Sequence, residues 1–247
     1  MKLRTSAVLL ALAAPAALAQ SNTFDLQSNS RSIGRSTYTL AKAKQGFKLS
    51  DRSSYHLGGT EADIADDFKL SETYAYLEGS STNVTNQMHT SYVPNKTRTE
   101  LIVGMVQANI QESRHLAIKP DFAIMPAYDA GAAQVMLLLA TTHPTEKNLY
   151  NIVVPSSGGG AAPPDAGEPA AGRPASGNNA YDALWTKGAD TTGMLDGKPV
   201  ALHTYTLTAG KFTWVFFADD ANLLMQLNVS MLKTSYIRSR FKLDTPQ

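Results

Sequence analysis

Cysteine is absent from this 247-residue chain. The absence excludes disulfide bonds, thiolate metal ligands and a cysteine nucleophile, and it leaves no residue for lipoprotein acylation. An excess of one charge is also missing, since 22 Lys and Arg residues face 21 Asp and Glu residues. A basic chain is what nucleic acid attracts, so the composition predicts no nucleic-acid partner.

Long hydrophobic runs are few, and one of them opens the chain. Lys2 and Arg4 precede the apolar stretch Ala7–Ala14, whose eight residues fall far short of the roughly 20 that a membrane-spanning helix needs. Small residues follow, up to Ala19. We therefore expect residues 1–19 to be a Sec-type signal peptide cleaved after Ala19, with no transmembrane segment afterwards and a periplasmic or secreted location in a bacterium.

Composition changes abruptly between Ser156 and Ala180, where Gly, Pro, Ala and Ser dominate. Such a tract has almost nothing to bury, so it predicts a disordered loop. The remainder of 20–247 is expected to be a single β-rich domain that this loop interrupts, because the part after the loop is too small to stand alone.

Alternating residues after the tract predict an antiparallel meander. Asp196 with Gly197, and Ala209 with Gly210, are hairpin dipeptides. The strand Lys211–Ala218 is apolar on both faces, which predicts that both are covered. The other strands expected here are Val200–Thr208, Leu223–Ser230 and Tyr236–Leu243.

The N-terminal part shows the same alternation with one polar face, as in a large curved antiparallel sheet. The candidate strands are Thr23–Gln27, Arg35–Lys42, Phe47–Leu57, Ala65–Leu77, Asn83–Tyr92, Thr97–Ile110 and Arg114–Ile124.

One segment favours a helix. Residues 130–142 are rich in Ala, Leu and Met and poor in β-branched residues; Asp129 is a suitable N-cap and Pro144 a suitable terminator. This helix is apolar nearly all round and must be covered. The sequence thus predicts a mainly β fold: a strongly bent antiparallel half-barrel of 10–11 strands with the helix in its concave face. Two stacked sheets with the helix at one end are the alternative.

The order of these elements carries a resemblance. A leader, a long meander, a helical insert after a strand flanked by Pro120 and Pro126, and the hairpins around Gly197 and Asp219–Leu224 look like uncharacterised secreted bacterial β-rich domains. Their fold is similar to that of the periplasmic lipoprotein carriers of the Lol system. The resemblance implies a concave apolar surface for a lipid-like or other hydrophobic ligand, and it transfers no catalytic residue.

Catalytic signatures are missing. There is no GxSxG, HExxH, Walker A or GxGxxG motif, and the five histidines are scattered singly, so no cofactor, metal site or catalytic residue is predicted. An acidic group at positions 61–67 lacks the spacing of a calcium loop and is interpreted as an acidic turn. Its members are Glu61, Asp63, Asp66 and Asp67.

Function is therefore predicted from the fold. We expect a non-enzymatic protein whose concave sheet binds a hydrophobic small molecule or lipid, or an envelope protein. Its predicted ligand-binding residues come from aromatic strands and from the helix: Tyr74, Tyr76, Val135, Leu138, Leu139, Phe212, Trp214 and Phe216.

Two alternatives belong to other classes. An extracytoplasmic hydrolase would assemble a pocket from two or more side chains on distant strands. An envelope-assembly module would instead recruit a partner along an exposed strand edge. The candidate hydrolase residues are His89, His115, His203, Asp66 and Asp220.

Overall fold

A computed structural model describes residues 20–155 and 179–244. The predicted signal peptide and nearly all of the predicted disordered loop lie outside the described residues. Within those ranges the chain forms 17 strands and one helix, α1 (Ala130–Thr142). The strands are β1 (Gln20–Ser28), β2 (Arg31–Lys42), β3 (Phe47–Leu57), β4 (Thr60–Leu70), β5 (Tyr76–Asn83), β6 (Met88–Pro94), β7 (Glu100–Gln107), β8 (Ile110–Ala117), β9 (Phe122–Ile124), β10 (Leu149–Val154), β11 (Asn179–Lys187), β12 (Thr191–Leu195), β13 (Lys198–Ala209), β14 (Phe212–Ala218), β15 (Leu224–Val229), β16 (Thr234–Arg238) and β17 (Phe241–Leu243).

The strands form one sheet that does not close on itself. Pairing runs from β8 through successive strands to β2 and β1, and continues from β1 through β16, β15, β14, β13, β11 and β10 to β9. These ladders are antiparallel except β9–β10, and β12 with β17 forms a short flap on β13. The β1–β16 ladder joins the two parts of the chain.

The helix lies against one face of this sheet. It contacts β2 and β3 on one side and β15 on the other, although β1 and β16 lie between them in the sheet. Strand β9 also contacts β5, so the part of the sheet that contains β2–β8 faces the part that contains β9–β16. The predicted fold class, a bent antiparallel sheet with one helix, is confirmed.

Helix α1 begins as the sequence predicts. The Asp129 side chain accepts a hydrogen bond from Ala132 N at 2.7 Å, which satisfies a free N–H of the first turn. Gly131 brings that turn against the sheet, because a Cβ there would lie 2.8 Å from Tyr38 Cβ and 2.7 Å from Leu49 Cδ1. The N-terminus of α1 therefore packs directly onto β2 and β3.

Gly131→Ala is expected to lower the free energy of unfolding by about 1–2 kcal/mol. Alanine has the better helix propensity by about 1 kcal/mol, but the two close contacts force the helix outward and overpack the core. Urea denaturation measures the change. Gly188→Ala is the control, since its Cβ would meet Thr204 only at 3.4 Å or more; equal stability of the two variants would contradict the tight docking of α1.

The strand number exceeds the predicted 10–11 for two reasons: several predicted strands contain turns, and β10, β11 and β12 lie where no strand was predicted. Ala65–Leu77 spans the end of β4, a turn at 71–75 and the start of β5, and Tyr236–Leu243 spans β16 and β17. The predicted strands Asn83–Tyr92 and Thr97–Ile110 also contain turns that the sequence did not indicate. Non-glycine residues with positive φ, such as Gln87, Ala108 and Arg240, make these turns, so no Gly or Pro marks them.

Candidate functional site

A row of polar side chains crosses the concave face. On β3 the buried residues alternate as Leu49, Asp51, Ser53 and Tyr55, and on β4 Asp66 shares the buried face with Phe68 and Leu70. Asp51 and Asp66 are direct partners in the β3–β4 register. Like charges in opposed positions destabilise a sheet, so this pair indicates something other than packing.

Asp129 at the start of α1 completes a cluster of three buried carboxyl groups. Asp51, Asp66 and Asp129 are 1%, 2% and 2% exposed, and Asp129 affects the pKa of both other carboxyls. None of the ion pairs found within 20–155 and 179–244 includes them. We call these residues the carboxyl triad.

Asp51 has its partners inside the protein. Its Oδ1 accepts from Ser53 Oγ at 2.8 Å, and its Oδ2 accepts from Ser36 Oγ at 2.9 Å and from Gly131 N at 3.0 Å. Burial raises the pKa of Asp51, while these donors favour its charged form. Because Gly131 N lies in the first turn of α1, Asp51 also stabilises the positive end of the helix dipole. This role is structural.

Asp129 is the second member with an internal role. Burial raises its pKa well above the ordinary value, and the Asp51 and Asp66 charges raise it further. One oxygen caps α1, whereas Oδ2 has no donor among the protein groups. Burial and the neighbouring charges thus favour the neutral, protonated form of this carboxyl, and a hydrogen bond with Asp66 acts in the same direction.

Asp66 differs from both. Burial raises its pKa to about 6, against the lowering influence of hydrogen bonds with Ser81 and Asp129. Its Oδ1 has no hydrogen-bond partner, and the residue is not at a helix terminus. At neutral pH the group is thus an ionised, buried carboxylate with unused acceptor capacity, which is costly unless something else pairs with it.

A cavity of about 230 Å³ reaches Asp66. Strands β3 to β6 form its wall, and Pro126, Ala127 and Pro155 line it as well. We call it the Asp66 pocket. Its other described lining residues mix aromatic, aliphatic and uncharged polar side chains with one further carboxylate: Ser53, Tyr55, Thr60, Glu61, Ala62, Ile64, Ser81, Asn83, Thr85, Asn86, Met88, Thr90 and Tyr92.

A second cavity, of about 450 Å³, lies where the end of α1 meets β10. Lys119, Leu139, His143 and Tyr150 are among its lining residues. None of the buried, unpartnered polar atoms in the described ranges belongs to a residue of this cavity. It therefore lacks the unpaired group that distinguishes the Asp66 pocket.

The predicted ligand-binding residues lie mostly in the core. Tyr76, Val135, Leu139, Trp214 and Phe216 are buried, and Tyr74, Leu138 and Phe212 pack against them partly buried. Leu139 lines the second cavity, and none of the eight lines the Asp66 pocket.

Tyr74 and Tyr76 lie in different elements, although the sequence predicts one strand, Ala65–Leu77, that contains both. Tyr74 lies in the preceding turn with φ of 65° and stacks on Phe47 at 4.5 Å between ring centroids, whereas Tyr76 begins β5. The Tyr76 hydroxyl is fully buried without a hydrogen-bond partner, and the triad charges contribute to its raised pKa, after burial.

The candidate hydrolase residues are dispersed. His89 and His115 are exposed on β6 and β8. His203 lies 3.1 Å from both Asp190 and Asp220, an arrangement on the surface where the Asp220 side chain is 80% exposed. The fifth residue, Asp66, lies apart in its pocket.

The acidic group at 61–67 forms no turn, which corrects the sequence-based interpretation. All four residues belong to β4; Asp63 points outward and Asp66 inward. A signal for the triad was present, because Asp51 and Asp66 occur in phase with the apolar residues of their strands. Asp129 was identified as a helix cap, but its position beside the other two depends on long-range packing.

Compared with known proteins, the sequence matches no family model and no curated protein. What the structure defines is an open, bent antiparallel sheet around one buried helix, with a small carboxylate-bearing pocket beside the start of that helix. No helix in the described ranges is long and apolar enough to cross a membrane.

Proposed function

We propose that this protein is an exported, non-enzymatic binding protein whose small, largely apolar ligand occupies the Asp66 pocket. The observation that carries the proposal is the pocket itself, a concave site where Tyr55, Ile64, Met88 and Tyr92 lie beside hydroxyl, amide and carboxyl groups that could orient a ligand. Export is inferred from the leader sequence.

The size of the pocket narrows the ligand. Drug-sized ligands occupy pockets of roughly 300–1,000 Å³, and the Asp66 pocket holds about 230 Å³. Helix α1 occupies the rest of the hollow, with Val135, Met136 and Leu137 fully buried against the sheet. The pocket therefore suits an aromatic or short aliphatic group, or one segment of a longer lipid-like molecule.

Filling the pocket is expected to abolish binding. Ala127→Trp introduces an indole at the wall of the pocket, where Ala127 is partly buried. We expect the fluorescence enhancement of N-phenyl-1-naphthylamine, a neutral apolar probe, to appear with the wild-type protein and to fall at least tenfold in apparent affinity with this variant, because the probe and the indole compete for one volume.

The control is Ala201→Trp, which adds the same side chain at an exposed position of β13. Circular dichroism and the thermal midpoint establish that both variants are folded. Probe binding that survives Ala127→Trp unchanged, or no binding of the probe by the wild type, would refute the proposed site.

A further inference from the structure

We propose that the ligand of the Asp66 pocket carries a primary or secondary ammonium group, which pairs with the Asp66 carboxylate. This inference rests on the proposed function and names the chemical class of its ligand. It depends on three observations: the separate roles of the three triad carboxyls, the charges around the pocket, and the row of groups in register with Asp66.

The three carboxyls of the triad differ in their partners. Asp51 receives three donors from Ser36, Ser53 and the first turn of α1, and Asp129 caps that same turn. Asp66 is the member that lines the pocket, and its Oδ1 is buried and unpartnered. Asp66 is thus the triad member that combines an unpartnered oxygen with a place in the pocket lining.

The charges around the pocket favour a cationic ligand. Among the described residues that line the pocket there are two carboxylates, Asp66 and Glu61, and no lysine, arginine or histidine. A buried anion without a countercharge is costly, and an ammonium group would remove that cost when it binds. An anionic ligand would instead meet Glu61 at the exposed part of the lining and Asp66 at the buried part.

The strand neighbours of Asp66 carry further oxygen acceptors. Asp66, Ser81 and Thr90 are successive partners across β4, β5 and β6, so a carboxylate and two hydroxyl groups lie side by side. An ammonium group has two or three N–H donors, which this row of oxygen acceptors can satisfy. Tyr55 and Tyr92 line the same pocket, and aromatic faces attract organic cations.

A metal cation fits the site less well than an organic one. Hard cations such as calcium require six to eight oxygen ligands. Within the described ranges no group of three or more His, Cys, Asp or Glu side chains is arranged to hold a metal ion. The apolar walls also favour a cation that has an organic body.

The test compares three probes with one body and different head groups: 3-phenylpropylamine, 3-phenylpropanol and 3-phenylpropionate, each displacing N-phenyl-1-naphthylamine from the full protein at pH 7.5. We expect the amine to bind at least tenfold more tightly than the alcohol, and the carboxylate to bind most weakly. In Asp66→Asn the amine should fall to the affinity of the alcohol, whose own affinity should change less than threefold.

Asp63→Asn is the matched control, because Asp63 lies on the same strand but is exposed. It should keep the preference for the amine. Equal affinities of amine and alcohol in the wild type would overturn the ammonium inference while leaving the proposed function intact. If the naphthylamine binds but none of the three displaces it, the ammonium inference fails alone; if the naphthylamine itself does not bind, both proposals fail.

Discussion

Replacing Asp66 by asparagine is expected to increase the free energy of unfolding by about 2 kcal/mol more at pH 7.5 than at pH 4, a range that covers most of the titration of this carboxyl. The reason is the buried carboxyl, whose pKa is raised from 3.8 to about 6, mainly by burial. That difference corresponds to about 3 kcal/mol between the two protonation states. Asparagine resembles the neutral acid in shape and has no charge to bury.

The sign follows from proton binding. A carboxyl with a raised pKa holds its proton more tightly in the folded state, so its favourable contribution is complete below about pH 3.8 and is lost as the pH rises through about 6. Asp51 on β3 and Asp129 at α1, which face Asp66, also have raised pKa values and act in the same direction. Tyr76 on β5 and Tyr92 on β6 remain neutral over this range, since burial raises the pKa of both.

Urea denaturation of wild type and Asp66→Asn between pH 4 and pH 8 measures the effect. Asp63→Asn, an exposed change on the same strand, is expected to show a nearly constant difference from wild type. The stability difference between Asp66→Asn and wild type could instead be constant across this range or grow towards acid pH. Either result would show that burying the Asp66 charge costs little, and it would remove the basis of the ammonium inference.

Local chemistry allowed part of this fold to be predicted. Helix α1 was predicted because its Ala, Leu and Met content and the Asp129 cap act within a few residues of sequence. The hairpin at Asp196 and Gly197 was predicted because both residues accept positive φ, which they have in the structure. The bent sheet followed from placing one apolar helix against strands with one polar face.

The missed turn at 71–75 shows where local signals fail. It contains no glycine or proline; Ser71 Oγ accepts hydrogen bonds from the backbone N–H groups of Thr73 and Ala75, while Tyr74 adopts φ of 65°. Serine favours such turns, but its preference for them is weaker than that of Asn, Asp or Gly. The sequence therefore predicts a single strand across this turn, which accounts for part of the difference in strand number.

The candidate site was only partly predictable for a different reason. Alternation along β3 and β4 places Asp51 and Asp66 on the buried face, which the sequence records. Their direct opposition depends on the register between the two strands, and Asp129 joins them from a helix more than 60 residues away in the chain. Neither the strand register nor this long-range contact follows from residues nearby in the sequence. Trp214 and Phe216, which the sequence predicts as ligand contacts, are buried in the core.

A buried glutamine on α1 forms hydrogen bonds to both sides of the surrounding sheet. Gln134 has no exposed surface; its Oε1 accepts from Leu224 N at 2.8 Å and from Tyr38 Oη at 3.1 Å, and its Nε2 donates to Asn222 O at 2.8 Å. Tyr38 Oη in turn accepts from Asn22 Nδ2. One amide thus connects the helix to β2 and to the turn before β15, on both sides of the hollow.

Gln134→Leu is expected to lower the free energy of unfolding by about 3–5 kcal/mol. Leucine matches the volume of glutamine but leaves Leu224 N, Asn222 O and the Tyr38 hydroxyl without this partner, and each buried unpaired group costs about 1–3 kcal/mol. Gln111→Leu makes the same exchange at an exposed position of β8 and should change stability by less than about 0.5 kcal/mol. Both are measured by urea denaturation. A loss below about 1 kcal/mol in Gln134→Leu would mean that apolar packing alone holds α1 in the hollow, because the three polar groups would then have found other partners.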